Sequence, residues 1–435
     1  MRYAQRRLVI VVRADPVICG HSGEARNLAE VALTRGFDDV RLLTWPIATL
    51  QATGLPLKPL DRLQPYSPGI TVERPEPVGD YRVPDGRHLA GLTGRLVELL
   101  AEPVQTTCLA MYLVPHANVV IDAVNSARAA GFDPDVHTIA KAVGSDITNV
   151  VQNCLREGRF GAAAFLLTTF LAHDEVVAVS DYTRDEIVLA AEAVDLHCGT
   201  RFAAECRRRV TVSYPPIDTS AYVDVDISAV DAALARRGLE RDGYILFLSR
   251  VTRAKGVHDL IEAYATSRAR DRVKLVIAGT GTALSEVRAL AAGDDRVVFL
   301  TDVDDDEKPL LMRGCATYAL PTKPESDFVE TFGIALAEKL LTGGGPVITT
   351  LTGGTGEAVG DTAVIVEAGD VAALRDALDR VVLEMSDHDK RALEWRGREH
   401  ALAFDRARVF DDLFAPSMES HTATVTTLRL AEESV

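Results

Sequence analysis

Short, uninterrupted apolar runs alternating with amphipathic stretches constrain this chain more than any other feature of its sequence. Leu8-Val-Ile-Val-Val12 is such a run. A strand that is apolar at every position belongs in a parallel sheet covered on both faces, where neither side meets water. After a Gly20-His-Ser-Gly23 turn, Ala25, Leu28, Ala29, Ala32 and Leu33 fall at helical spacing, and residues 39–44 return to strand character. Strand, loop, helix and strand in that order are the building unit of a doubly wound α/β sheet.

The alternation continues with helical patterns over 89–100, 119–130 and 183–193 and strands over 108–114 and 176–180. Residues 45–88 are Pro-rich and without a sustained period, and predict an irregular excursion containing one hairpin. A turn-rich boundary, Tyr214-Pro-Pro-Ile-Asp218, precedes a second series. Its strands are expected at 244–248, 273–278, 297–300, 317–320, 347–349 and 363–366, with helices near 258–268, 282–292, 305–313, 332–342 and 371–384. A chain of 435 residues exceeds what one hydrophobic core supports. The expected fold is therefore α/β, with two Rossmann-like, doubly wound parallel-sheet domains facing a cleft. The expected bounds are 1–215 and 216–400, then a helix over 401–415 returning to the N-terminal domain and a flexible tail over 416–435.

Charge narrows the partners. There are 63 acidic against 47 basic residues, a net charge of −16, and such a surface repels phosphate backbones and anionic lipid. No nucleic-acid partner is expected. No apolar run approaches the roughly 18 residues that span a bilayer, and the apolar run at the N-terminus is too short for a signal-peptide core. Six cysteines occur without C-x-x-C or zinc-ligand spacing, which predicts reduced, mostly buried thiols in a cytoplasmic protein.

The densest chemical pattern is Pro321-Thr-Lys-Pro-Glu-Ser-Asp-Phe-Val-Glu330-Thr-Phe332-Gly333-Ile-Ala-Leu-Ala-Glu338, followed by Gly343-Gly-Gly-Pro-Val347. A strand ending at Leu320 gives way to a polar loop carrying Glu330. A helix then begins near Phe332-Gly333, its unsatisfied N–H groups forming a cradle for an anion. Upstream, Leu248-Ser-Arg250-Val-Thr-Arg-Ala-Lys255-Gly256 places two cations just after another strand. Gly279-Thr-Gly281-Thr-Ala-Leu284 lacks the third glycine of a dinucleotide fingerprint, and no P-loop pattern occurs.

Together these stretches resemble the E-x7-E signature of retaining GT-B glycosyltransferases, in particular glycosyltransferase family 4. The likeness extends to Ile277-Ala-Gly279-Thr-Gly281, Gly353-Gly354-Thr-Gly-Glu357, Val179-Ser180-Asp-Tyr-Thr183 and Pro216-Ile-Asp218. It covers residues 175–414 well and the N-terminal half loosely. The resemblance implies that Arg250 and Lys255 neutralise the diphosphate of a nucleotide-sugar donor, with the Phe332 and Gly333 amides beside them. It further implies that Glu330 holds sugar hydroxyls and that Glu338 accepts the hydroxyls of the ribose. No cofactor and no metal are implied, since protein cations take the metal's place.

In the N-terminal half the resemblance assigns the Gly20/Gly23 loop to the donor phosphate. The family's adjacent glycines are here separated by His21 and Ser22, and a tight turn capped by Ser22 is the alternative. His116, in Val114-Pro-His116-Ala-Asn118, matches the family's active-site histidine, the alternative being a histidine with a purely local bond. Gly144-Ser145-Asp146 resembles the family's acceptor-side turn, although Val143 stands where a histidine is usual. Ser145, Asp146 and His116 are thereby the acceptor-side candidates.

The implied function is transfer of a sugar from a GDP- or UDP-linked donor to a small-molecule acceptor, with retention of configuration; a homodimer is also expected. The Ala/Arg/Val-rich usage suggests a high-GC actinobacterial source, where the family serves mycothiol, cell-envelope and antibiotic pathways. As a whole, the chain is similar to a lincosamide-pathway S-glycosyltransferase, which passes a GDP-activated octose to the thiol of ergothioneine. A nucleotide-sugar epimerase of the same fold and a non-catalytic binding protein are the competing readings.

Overall fold

In a computed structural model of the chain, residues 5–79, 84–326 and 328–415 are described. The expected tail at 416–435 lies outside them. The described residues form two compact units, one comprising 5–179, 183–216 and 406–415, the other 180–182 and 217–405. Among the described residues no helix is long and apolar enough to cross a membrane.

The first unit is built on seven parallel strands: β1 (Arg6–Val11), β2 (Asp39–Leu43), β3 (Ile70–Glu73), β4 (Gln105–Met111), β5 (Val136–Ala142), β6 (Glu175–Ala178) and β7 (Val210–Val212). Their order is β3-β2-β1-β4-β5-β6-β7. β1 lies between β2 and β4, with Val9 opposite Arg41 on one side and Cys108 on the other. Leu8 to Val12 are fully buried because successive side chains enter two separate cores. Val9 and Val11 pack with the Pro84–Leu100 and Asn118–Ala129 helices, whereas Leu8 and Ile10 pack with the Gly20–Ala32 helix. Residues 406–415 are helical and bring Phe410 and Phe414 into that second core, where both rings meet Phe37 at 6.1 Å.

The second unit carries β8 (Tyr244–Leu248), β9 (Lys274–Ala278), β10 (Val297–Leu300), β11 (Thr317–Leu320), β12 (Val347–Thr349) and β13 (Val364–Ile365). They form one parallel sheet in the order β10-β9-β8-β11-β12-β13. In both sheets the order runs outward from the first strand on one side and then restarts on its other side. That reversal is the switch point of a doubly wound fold.

The sequence reading and the structure part company in three places. Residues 45–88 contain a helix, Ile47–Ala52, and the parallel strand β3 beside β2; the expected hairpin is absent among the described residues. The Gly20-His-Ser-Gly23 segment is the first turn of the Gly20–Ala32 helix rather than a loop, and no side chain caps it, Ser22 included. Of the six free thiols only Cys108, Cys206 and Cys315 are buried, while Cys198 is exposed.

One buried ion pair binds the first unit across its sheet. Lys141 on β5 is wholly buried, and its Nζ lies 3.0 Å from Glu24 Oε2 of the Gly20–Ala32 helix, itself 4% exposed. The Tyr214 carbonyl accepts from the same Nζ at 3.3 Å. Removing one partner strands the other charge in an apolar interior, which costs about 3–5 kcal/mol, whereas replacing both with apolar groups can be neutral. Lys141→Met should accordingly lower the unfolding free energy in urea by about that amount, and Lys141→Met with Glu24→Leu should recover most of it.

Candidate active site

The donor-side candidates gather at the carboxyl end of the second sheet, in the loops after β8 and β11. These two strands are neighbours in the sheet but belong to opposite arms of its winding. Their loops therefore leave in different directions and open a crevice between them. β8 delivers Arg250 two residues past its end, and a tight turn, Arg253–Lys255, delivers Lys255. Gly256 follows at φ 70°, where a Cβ would overlap the Pro321 carbonyl oxygen. Only glycine lets this turn press against the end of β11, and the Lys323 N–H donating to the Ala254 carbonyl at 2.9 Å joins the two loops.

That contact places Lys255 against Glu330. The two side chains are 8% and 12% exposed, and the Lys255 Nζ donates to the Glu330 carboxylate. The Phe328 ring lies beside both cations, with Arg250 Cζ 5.3 Å and Lys255 Nζ 5.1 Å from its centroid, within the range of a cation–π attraction. Arg250 is exposed and has no carboxylate partner among the described residues. The backbone of Glu330 is held from the far side. Its carbonyl accepts from the Gly354 N–H at 2.9 Å, and side chains at Gly353 or Gly354 would overlap the Glu330 and Thr331 carbonyl oxygens.

The Ile334–Thr342 helix starts at Gly333 with no side-chain cap and no acidic residue in its first turn. Its N-terminal dipole charge is thus left without an internal counter-charge. Phe332 is 2% exposed and meets Phe404 edge-on at 5.0 Å, so its ring is a core group and its backbone is what it can offer a ligand. Glu338, a turn further on, is buried; its Oε1 accepts from the Tyr222 hydroxyl at 2.7 Å and its Oε2 pairs with Lys308 at 2.5 Å.

The first unit's candidates also lie at the carboxyl end of their sheet. His116 is 1% exposed, with both ring nitrogens engaged. Nδ1 is 2.6 Å from the Met111 carbonyl and must donate to it, while Nε2 accepts from the Trp45 indole at 3.2 Å. Burial lowers its pKa to about 4, reinforced by the Arg13 charge and opposed by the Met111 bond. The local bond left open by the sequence is present, and His116 is a neutral imidazole whose tautomer is fixed.

Asp146 organises backbone. Its Oδ2 accepts from the Leu113 and Val143 amides and its Oδ1 from those of Gly144 and Ile147, at 3.0–3.2 Å, tying the end of β4 to the end of β5. Burial raises its pKa to about 6 against the pull of those amides. Ser145 bonds the Tyr112 hydroxyl. Gly20 and Gly23 sit inside a helix, and a Cβ on Gly23 would meet nothing within 4 Å, so no close approach demands glycine there.

Arg13, Tyr112, Tyr222, Lys308 and Phe328 were not singled out by the sequence reading. Arg13 had a signal: it follows β1 by two residues, as Arg250 follows β8. Its guanidinium lies 3.0 Å from His21 Nε2 and 5.5 Å from the Tyr112 ring centroid. Tyr112 takes φ 94°, uncommon for a side chain of its size.

Residues 234–396 match the family described as glycosyl transferases group 1. Phosphatidyl-myo-inositol mannosyltransferase of Mycobacterium leprae (strain TN) is 33% identical over 160 residues, 35% of this chain. The match spans 41% of the length of that curated relative. Among solved structures, Anabaena HepE in complex with UDP and glucose aligns with TM-score 0.64 at 18% identity, covering 95% of this chain and 99% of its own. A glycosyltransferase from Rickettsia africae aligns at 0.68 and 14% identity, covering 96% and 99%. Sucrose-phosphate synthase from Thermosynechococcus elongatus aligns at 0.66 and 18%, covering 96% and 100%. At such identities the likeness establishes the fold, two parallel-sheet α/β units of GT-B type.

The buried state of His116 has a measurable consequence. Its folded pKa of about 4 lies below the ordinary histidine value of 6.5, so its contribution to stability is complete above about pH 6.5 and is lost as pH falls toward 4. The loss amounts to roughly 2–4 kcal/mol. Nitrogen-15 imidazole shifts should report His116 as the neutral Nδ1–H tautomer at pH 5; a charged ring at that pH would contradict the burial argument.

Proposed function

We propose that this chain is a retaining glycosyltransferase that moves a sugar from a nucleoside-diphosphate sugar to a small-molecule acceptor. One observation carries the reading. Within the segment that matches group 1 glycosyl transferases, Arg250 and Lys255 flank Phe328 and Lys255 pairs with Glu330 at the switch point of the second sheet, ahead of an uncapped helix start. Two cations and a helix N-terminus suit a diphosphate, and a carboxylate held by one of those cations suits the sugar attached to it.

In this mechanism the charge that develops on the departing diphosphate is met by Arg250, Lys255 and the amides at the start of the Ile334–Thr342 helix. Groups fixed beforehand reorganise little as the bond breaks, and one such donor is worth about 10²–10³ in rate. A diphosphate that takes Lys255 as its counter-ion releases Glu330 to bind sugar hydroxyls and to offset positive charge at the anomeric carbon. Retention follows if the departing diphosphate accepts the acceptor's proton on the face it leaves. His116, a neutral imidazole held by Trp45, is not expected to act as a base. The charge is supplied by side chains, so turnover is expected to persist in a chelator.

UDP, bound by the HepE relative, and GDP are the first donors to test. For the acceptor, the whole-chain similarity to a lincosamide-pathway S-glycosyltransferase supports a GDP-octose donor and the thiol of ergothioneine. A thermal-shift panel of UDP, GDP, ADP and dTDP tests the donor class. A diphosphate at 100 times its Kd adds about 2.7 kcal/mol to the apparent stability, and absence of a shift with all four would remove the basis of the proposal. Diphosphate release that needs no acceptor would favour an epimerase. Arg250→Ala should lower kcat/KM at least roughly 100-fold while leaving the urea midpoint unchanged, because its side chain is exposed and, among the described residues, pairs with no carboxylate.

A further inference from the structure

Each unit carries the same local arrangement at the carboxyl end of its sheet. In the second, Arg250 follows β8 by two residues, and its Cζ lies 5.3 Å from the ring centroid of Phe328, in the loop after β11. In the first, Arg13 follows β1 by two residues, and its Cζ lies 5.5 Å from the ring centroid of Tyr112, the residue after β4. β4 stands to β1 as β11 stands to β8, beside it and across the switch point. In both units an arginine therefore rests on an aromatic ring where the winding restarts.

Arg13 is half-buried and held on two sides. A guanidinium has no acceptor, so Arg13 donates to His21 Nε2 at 3.0 Å, which keeps the His21 proton on Nδ1 and the ring neutral. Tyr112 presents its ring from a backbone position at φ 94°, and its hydroxyl is bonded to Ser145. Neither group carries charge. The acidic residues nearby in the chain have cations of their own: Asp15 pairs with Arg26 at 2.7 Å and Glu24 with Lys141 at 3.0 Å. Asp146, whose charge reaches Tyr112, gives its oxygens to four backbone amides. Among the described residues Arg13 thus pairs with no carboxylate, although the chain as a whole carries a net charge of −16. Its charge also reaches His116, where it helps to keep the imidazole neutral. A cation fixed by neutral groups, with N–H groups still to give, is matched to an anion.

We infer that Arg13, set in place by His21 and Tyr112, binds an anionic group of the acceptor, a carboxylate or a phosphate. The inference rests on the glycosyltransferase reading, in which the donor diphosphate has Arg250 and Lys255 as its cations, and it names the acceptor's chemical class. The guanidinium fork suits either anion, since both accept two N–H groups side by side. An acceptor anchored by that group is held at the end of the sheet that also carries His116 and Ser145.

The test is modification of the full chain by phenylglyoxal, which reacts with guanidinium groups, read arginine by arginine through peptide mass mapping. Acetate and inorganic phosphate should each be compared with acetamide and with sodium chloride at matched ionic strength. At least one of the two anions should slow modification of Arg13 saturably, and the stronger of them identifies the acceptor's anion. Acetamide and chloride should not, and the exposed Arg159 should react at one rate throughout. Protection of Arg13 should persist with UDP or GDP saturating, because an acceptor binds together with the donor. His21→Phe, which removes the acceptor of the Arg13 N–H, should weaken that protection by about tenfold, and His21→Gln, whose amide oxygen can replace Nε2, should restore it. Equal protection by acetate and acetamide, or protection by UDP and GDP in place of the small anions, would overturn the inference, as would efficient transfer to an acceptor that has no anionic group. The same maps report on Arg250: if neither UDP nor GDP slows its modification, the donor reading fails, whether or not Arg13 is protected.

Discussion

A parallel strand buried on both faces can expose polar groups only at its ends, and this constraint governs where each unit of the protein can do chemistry. β8 and β11 run side by side, yet one begins an arm of the winding and the other restarts it. Their connections must therefore separate at the carboxyl edge. The charged residues Arg250, Lys255 and Glu330 occur in those separating loops. The backbone contacts that hold the loops, Gly256 against Pro321 and Gly354 against Glu330, are tolerated because no side chain stands in the way.

The electrostatics of the second unit follow from that scaffold. Lys255 and Glu330 satisfy one another when pressed together with little solvent, whereas Arg250 remains exposed beside Phe328. A net negative chain thus contains a local concentration of positive potential made from two side chains and one helix end. Glu338 is the counterpart, a negative group moderated by Lys308 and aligned by Tyr222. The first unit relies on bonds that use up its polar groups: Asp146 is spent on four amides, and His116 on a carbonyl and an indole. Such residues shape the ends of β4 and β5.

Much of the second unit was legible in sequence. Tyr244–Leu248, Val297–Leu300, Thr317–Leu320 and Val347–Thr349 begin and end where the apolar runs do, since turn residues flank each run closely. The first unit was harder to read. β5 was missed because His137, Thr138 and Lys141 interrupt its apolar pattern. Lys141 is tolerated inside the sheet through Glu24, 117 positions away, and the Tyr214 carbonyl, and no local pattern announces such a pairing. β3 was missed because Ile70–Glu73 is short and only partly buried, its place secured by β2 alone.

The sequence by itself determined the α/β class and the polar loop that carries Glu330 ahead of the helix bearing Glu338, because strand burial, helical spacing and residue order are local properties. Tertiary structure decided which of the charged side chains neutralise one another. The Lys255–Glu330 contact, the Tyr222 and Lys308 grip on Glu338, and the enclosure of His116 by Trp45 all join residues distant in the chain. Charges and hydrogen bonds act over a few ångströms of space, and only the folded backbone sets those distances.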